Sequence, residues 1–133
     1  MDVKPFLGVG KVRFGETRQE TRQTLGSQFS SFRKSPGANE TDAFDELGLH
    51  VYYDSEDRVN FVEAFEPAPI RYEGILLLGR SLQSVDEDMR TLGCCPRPFD
   101  LGLDYETAGL SLFAPNDTIE GVGVFSRDYF PKE

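Results

Sequence analysis

The chain has 133 residues, of which 38% are hydrophobic and 12% aromatic, values that are typical of a globular protein and exclude a disordered one. This length provides one domain that buries enough surface to fold without disulfide bonds. The formal net charge is −9, with 14 basic and 23 acidic residues, and a chain this acidic is repelled by nucleic acid and by anionic membranes. We therefore predict no binding to either, and the charge favours a basic protein as partner.

The N-terminus and the cysteines both indicate a cytoplasmic location. Residues 1–5 lack the basic start and apolar run of a signal peptide, and the longest apolar run, residues 75–78, is far too short to span a membrane. The two cysteines, Cys94 and Cys95, are neighbours, and a disulfide between neighbours is strained. No disulfide framework is possible with these two residues alone, so we predict a reducing cytoplasm.

A first helix is predicted over residues 17–26. Thr17 is a favourable N-cap, and Glu20 three positions later completes a capping box. Gly26 directly follows the last apolar residue and ends the helix. The helix between these signals is polar, and we expect Arg18 and Arg22 to belong to its solvated side.

A second helix is predicted from the same pattern, further along the chain. Ser84 is the predicted N-cap, with Glu87 in the capping-box position. Val85, Met89 and Leu92 follow at helical spacing and form an apolar stripe. We therefore expect the second helix to anchor the core more strongly than the first.

The rest of the chain alternates apolar and polar residues with the two-residue period of strands, interrupted by turn residues. Two hairpins are predicted, residues 47–53 with 59–65 and residues 110–113 with 119–125. Further strands are predicted at residues 9–14, 72–78 and 101–105.

Many residues of the first half recur in the same order in the second half. The matched pairs include Thr17/Ser84, Glu20/Glu87, Thr24/Thr91, Leu25/Leu92, Gly26/Gly93, Gly48/Gly109, Leu49/Leu110 and Tyr52/Phe113. We interpret them as a duplication in which loops have diverged, and the alternative is that two similar units share their caps by coincidence.

The repeat predicts an α+β fold: an antiparallel sheet of about six to eight strands, built from two duplicated strand-helix-hairpin units with both helices on one face. The units cover about residues 9–66 and 75–130 of a single domain, residues 1–133, and are joined at residues 67–74.

This arrangement leaves the other face of the sheet uncovered, and large apolar groups are rarely left bare to water. We therefore predict that this face binds another protein, closes a homodimer or is covered by the C-terminal tail. The predicted partner-binding residues are His50, Tyr52, Asn60, Val62, Phe113 and Glu120, with Ser111 and Val122 beside them.

Residues 14–26 carry Gly15 and Thr17 ahead of a helix that ends in Leu25-Gly26. This pattern resembles the signature of the SmpA/BamE-like fold, and the tandem arrangement resembles that of β-lactamase inhibitor protein. The layout is also similar to that of small bacterial immunity proteins. Positions 21 and 24 depart from the pattern, because they are Thr where the family has apolar residues. The resemblance implies a protein that binds another protein through a sheet surface, and it implies no catalytic residue.

No pattern in the chain predicts catalysis, a metal site or a cofactor. His50 is the only histidine, and its position within a strand favours cross-strand pairing over a Ser-His-Asp arrangement. Cys94 and Cys95 lack the further Cys or His residues that a zinc site needs. Gly8 and Gly10 lack the third glycine of a dinucleotide-binding loop.

These observations predict a non-enzymatic, cytoplasmic protein-binding module, an immunity or inhibitor protein that neutralises a basic partner such as a toxin. The alternative is a small-ligand-binding or enzymatic domain with a pocket between the sheet and the C-terminal tail. The residues predicted to line that pocket are Tyr53, Phe61, Tyr105 and Phe125.

Overall fold

The computed structural model describes residues 1–129, which form an α+β fold dominated by one antiparallel sheet. The helices are α1 (Arg18–Leu25) and α2 (Leu82–Thr91). The strands before α2 are β1 (Val3–Lys4), β2 (Gly8–Val9), β3 (Val12–Arg13), β4 (Ser30–Arg33), β5 (Glu40–Phe44), β6 (Leu49–Tyr53), β7 (Val59–Ala64), β8 (Arg71–Tyr72) and β9 (Ile75–Leu76). The strands after it are β10 (Arg97–Phe99), β11 (Gly102–Tyr105), β12 (Leu110–Phe113) and β13 (Gly121–Phe125).

The main sheet has eight strands in the order β10-β11-β12-β13-β7-β6-β5-β4. Four strands from each half of the chain lie side by side, and β7 and β13 meet at the centre in an antiparallel pair. Two small sheets, β1-β2-β3 and β8-β9, lie outside it. The predicted strand over residues 72–78 is wrong, because Glu73 and Gly74 adopt positive φ angles and turn the chain into the hairpin β8-β9.

Helix α1 begins and ends where the sequence predicts. The Thr17 side chain accepts a hydrogen bond from the backbone N–H of Glu20, and the Glu20 side chain accepts one from the Thr17 N–H, so the capping box is complete. Gly26 is the C-cap. Only Thr21 is buried in this helix, which agrees with its polar composition.

Helix α2 begins one turn earlier than predicted. Its N-cap is Ser81, whose side chain accepts a hydrogen bond from the backbone N–H of Ser84, so Ser84 lies inside the helix and the prediction that it is the cap is wrong. Val85 and Met89 are fully buried as predicted, whereas Leu92 is 48% exposed, because it lies at the C-cap after the last buried turn.

Two short 3-10 turns precede the hairpins β6-β7 and β12-β13. They span Asp45–Leu47 before β6 and Glu106–Ala108 before β12, and each ends at a glycine in the left-handed conformation. These glycines are Gly48, with φ of 72°, and Gly109, with φ of 68°. The predicted strand from residue 47 therefore starts two residues later, since the turn occupies its beginning.

The core lies on one face of the main sheet. Val51 pairs with Val62, and Val62 pairs with Val124, so all three side chains point to the same side and are buried. The prediction that Val62 and Val122 lie on the open face is therefore wrong, because the strand register places both of them in the core with exposures of 0%. A one-residue change of register reverses the face of every side chain in a strand.

The buried apolar residues of both halves form one cluster, which also includes Val85 and Met89 of α2. In the described part of the chain, neither helix has the length and apolar character needed to cross a membrane.

Candidate protein-binding face

The side of the main sheet opposite the core carries a row of aromatic side chains, which we name the aromatic face. Alternation along β6 places Leu49, Val51 and Tyr53 in the core and His50 and Tyr52 on this face. The cross-strand partners of those two residues follow them onto it. The members of the aromatic face are Phe32, His50, Tyr52, Phe61, Phe65, Phe113, Phe125 and Tyr129.

Most of these rings touch one another. The His50 ring lies between two phenylalanines, with its centroid 5.2 Å from that of Phe32 and 4.6 Å from that of Phe65. A second group begins at Tyr52, 5.1 Å from Phe61, and Phe61 stacks on Tyr129 at 4.7 Å. These distances lie in the range of attractive ring pairs, so the rings stabilise one another's positions on the face.

Two glycines in β13 allow the rings to lie close to the sheet. A Cβ added at Gly123 would be 2.9 Å from Cζ of Phe61, and one added at Gly121 would be 3.6 Å from Cβ of Phe113. Phe61 and Phe113 therefore cover the backbone of β13, which is how a central strand with two glycines remains buried. Phe113 keeps 39% of its surface exposed.

Acidic groups surround the aromatic rings. Nε2 of His50 is 3.3 Å from Asp45, and Nδ1 of His50 is 3.7 Å from Glu63. Burial, together with the nearby charge of Glu63 and the Tyr129 side chain, raises the pKa of Tyr52 to about 12, so its hydroxyl stays protonated at neutral pH. The Lys34 ammonium lies 5.4 Å from the centre of the Tyr52 ring.

The structure places the residues that we predicted to bind a partner at different sites of the sheet. His50, Tyr52 and Phe113 lie on the aromatic face, and Val62 lies in the core on the other side of the sheet. Asn60 occupies the irregular position in β7 where the register with β6 shifts. Glu120 is exposed immediately before β13, where its backbone N–H donates a hydrogen bond to the Phe113 carbonyl.

The four residues predicted to line an alternative pocket do not share one face. Phe61 and Phe125 are cross-strand partners on the aromatic face, whereas Tyr53 and Tyr105 point into the core. The Tyr105 hydroxyl donates a hydrogen bond of 2.6 Å to Asp86 of α2. The prediction that these side chains line one pocket is therefore wrong, because alternation along the strands separates the phenylalanines from the tyrosines.

A buried charged cluster, which we did not predict from the sequence, lies on the core side. Asp42 has no exposed surface, and its carboxylate accepts hydrogen bonds from Arg22 at 2.8 Å, Ser31 at 2.9 Å and the Tyr53 hydroxyl at 2.9 Å. Arg18 also donates to it at 3.1 Å. Because both arginines point to the sheet, the expectation that they lie on the solvated side of the helix is wrong.

Arg18 joins this cluster to the hairpin turn after β6. Its guanidinium donates to Asp57 and to the Glu40 carbonyl, and it lies 4.0 Å from the centre of the Tyr53 ring. Burial alone would lower the pKa of Arg18, but the hydrogen bond to Asp57 and the charges of Asp42 and Asp57 raise it above its ordinary value. The cluster is thus a set of satisfied ion pairs that fixes α1 on the sheet.

The pKa of Asp42 responds to the same contacts. Burial alone would raise it, but hydrogen bonds from Arg22, Ser31 and Tyr53 outweigh burial and hold the pKa below its ordinary value. The one sequence signal for this cluster is the spacing of Arg18 and Arg22, which places two cations on the same side of a helix.

No group of three or more His, Cys, Asp or Glu side chains suited to a metal ion occurs within residues 1–129. Comparison of the chain with protein-family models, with curated proteins and with solved structures gave no match.

Proposed function

We propose that this protein is a non-enzymatic, cytoplasmic binding module of the immunity or inhibitor type, and that its aromatic face contacts a basic protein. The observation that carries the proposal is the row of touching rings on the sheet face opposite the core, where Phe32 and Phe113 keep 37% and 39% of their surfaces exposed. Aromatic groups held in fixed positions are the usual anchors of protein interfaces.

The charge of the face supports a basic partner. The carboxylates of Asp45 and Glu63 keep 71% and 44% of their side-chain surfaces exposed beside the His50 ring. Glu120 is exposed next to Phe113. With a net charge of −9 on the whole chain, these groups attract a cationic surface over long distances and repel nucleic acid.

The cysteines support the cytoplasmic part of the proposal. Cys94 is buried and Cys95 is exposed, and two neighbouring cysteines cannot form the disulfide framework that secreted proteins use.

We also propose that the fold arose by duplication of one strand-helix-hairpin unit, with both helices on the core side of the sheet. Support comes from the equal division of the sheet and from the paired 3-10 turns that end at Gly48 and Gly109. Arg18 of α1 stacks on Tyr53, and Asp86 of α2 binds Tyr105. A circularly permuted chain that begins near residue 75 tests the duplication, because two equivalent units predict that it folds with the same sheet.

A comparison of two lysine variants tests the binding face. Phe113→Lys places a cation among the rings, and Leu92→Lys makes the same change at the end of α2, where the leucine is 48% exposed. A native pull-down should recover a stoichiometric basic protein with the wild type and with Leu92→Lys. We expect Phe113→Lys to retain at least about tenfold less of this partner, because a change at a central anchor residue of an interface commonly weakens binding by more than tenfold.

Two outcomes contradict the proposal. Recovery of no stoichiometric partner argues against a binding module, and equal loss with the two variants argues against the aromatic face. A metabolite that raises the thermal midpoint when no protein partner does so would favour a small-ligand function instead.

A further inference from the structure

The main sheet ends in two edge strands that differ in their ability to pair further. The edges are β10 and β4, and every edge strand presents backbone N–H and C=O groups that another strand can bind. Which of the two edges is open decides how the sheet can be extended.

The β10 edge is blocked. Pro98 lies within this three-residue strand, and Pro96 comes directly before it. Proline has no N–H to donate, so an incoming strand cannot form a continuous ladder here. Between the two prolines, Arg97 forms an exposed ion pair with Glu106 at 3.1 Å, which adds a charge that protects the edge.

The β4 edge is open. All four residues of Ser30–Arg33 are exposed, none is proline, and the strand forms a regular ladder with β5 on its inner side. Within residues 1–129, no other strand and no isolated bridge pairs with its outer side. Phe32, 37% exposed, lies on the aromatic face at this edge and touches His50.

The open edge carries no carboxylate, which limits the repulsion between two copies of this chain that meet there. Two copies with a net charge of −9 repel each other, but β4 contains no carboxylate and ends in Arg33. The basic side chains beside it are held within their own chain. Nη1 of Arg33 donates to the Ala38 carbonyl at 2.6 Å, and Lys34 lies over the Tyr52 ring. A second copy at this edge therefore meets neither a carboxylate of β4 nor an unpartnered cation.

We propose that two copies pair through β4 in an antiparallel dimer whose two-fold axis passes beside Phe32. Residues opposite each other in an antiparallel pair share a face, so Phe32 of one copy must meet an aromatic-face residue of the other. Placing Phe32 opposite Phe32 of the second copy joins two rings and puts Ser31 opposite Arg33, with no like charges face to face. The proposal does not depend on the proposed binding function.

This arrangement closes on itself. A two-fold interface uses the same surface on both copies, and the blocked β10 edge prevents further addition of strands. The result is a dimer with one continuous aromatic face, in which neither outer edge is open to a further strand.

Engineered cysteines test the register directly. In a Cys95→Ser background, Phe32→Cys brings two thiols together at the axis, where opposite Cα atoms lie about 5 Å apart and a disulfide can form. Phe113→Cys is the matched control, because Phe113 is equally exposed on the same face but far from β4 in the strand order. Mild oxidation should cross-link the first variant as a dimer and leave the second monomeric on a denaturing gel.

Light scattering of the wild type provides the second measurement. We expect a mass of twice 14.9 kDa, and we expect Phe32→Lys, which places two ammonium groups opposite each other, to lose the dimer while keeping its circular dichroism spectrum. A monomer at every soluble concentration would overturn the proposal. Cross-linking through Phe113→Cys instead would also overturn it, since the copies would then meet through the centre of the aromatic face.

Discussion

Arg22 binds both carboxylate oxygens of Asp42, with Nε 2.8 Å from Oδ2 and Nη2 2.8 Å from Oδ1. The pair joins α1 to β5, and the aspartate is fully buried. Thr21 is the only fully buried residue of α1, whereas α2 buries Val85 and Met89. The bidentate ion pair therefore holds α1 on the sheet where α2 uses apolar side chains. The attachment of α1 to the sheet is thus electrostatic in large part, with the partly buried Leu25 as an apolar contact.

Removing the charge of Asp42 should strongly destabilise the protein. We expect Asp42→Asn to lower the free energy of unfolding by about 3 kcal/mol, because Arg22 is left without its anionic partner. Urea denaturation at neutral pH measures the change. Asp100→Asn is the control, an exposed aspartate whose replacement should change the free energy by less than about 0.5 kcal/mol. Equal effects of the two substitutions would show that the pair does not hold α1.

Acid should weaken the fold through the same cluster. The pKa of Asp42 is lowered, since the hydrogen bonds from Arg22, Ser31 and Tyr53 outweigh the burial that would raise it. The pKa of Asp57 is lowered chiefly by its hydrogen bond from Arg18. A lowered folded-state pKa stabilises the protein above the unfolded-state value, about pH 4, and this stabilisation is lost as the pH falls through the folded-state value.

The measurement is the free energy of unfolding at neutral pH and at several values below about pH 4. We expect a steep decrease for the wild type and a shallower one for Asp42→Asn, which has one fewer proton to take up on unfolding. Parallel curves for the two proteins would assign the acid sensitivity to other carboxylates.

Local signals in the sequence predicted much of the fold. Within the capping box of Thr17 and Glu20, and within the alternating strand Leu49–Tyr53, the residues that matter are only a few positions apart. Both features can therefore be predicted from residue spacing. The face of Val62 could not be read in the same way. It is fixed by pairing with Val51 across a hairpin in which the register shifts near Tyr53.

The buried cluster was missed for a similar reason. Asp42 lies 24 residues from Arg18 and 20 residues from Arg22 along the chain, and polar residues of a helix are usually exposed. Only the pairing of Ser31 with Asp42 and the packing of α1 above them bring the charges together. The aromatic face was predicted in part, since His50, Tyr52 and Phe113 follow from alternation alone.

The N-cap of α2 provides a third prediction. Ser81→Ala should lower the free energy of unfolding by about 1 kcal/mol, because the Ser84 N–H loses its acceptor. Ser84→Ala should lower it less, since the Ser84 hydroxyl accepts a hydrogen bond from Arg80 but caps no backbone group. Hydrogen exchange of the first-turn amides of α2 would separate the two variants. Faster exchange in Ser84→Ala than in Ser81→Ala would contradict the position of the cap.

The two helices should differ in their contribution to the core. Met89 is fully buried in the apolar cluster, so Met89→Ala leaves a cavity and should lower the free energy of unfolding by about 3 kcal/mol. Thr21 is also fully buried, but its hydroxyl donates to the Thr17 carbonyl of its own helix, and Thr21→Ala removes only a methyl group and this local bond. We expect that loss to be about 1 kcal/mol. Equal losses in urea denaturation would mean that α1 and α2 anchor the core alike, and would remove the reason for assigning the attachment of α1 to Arg22 and Asp42.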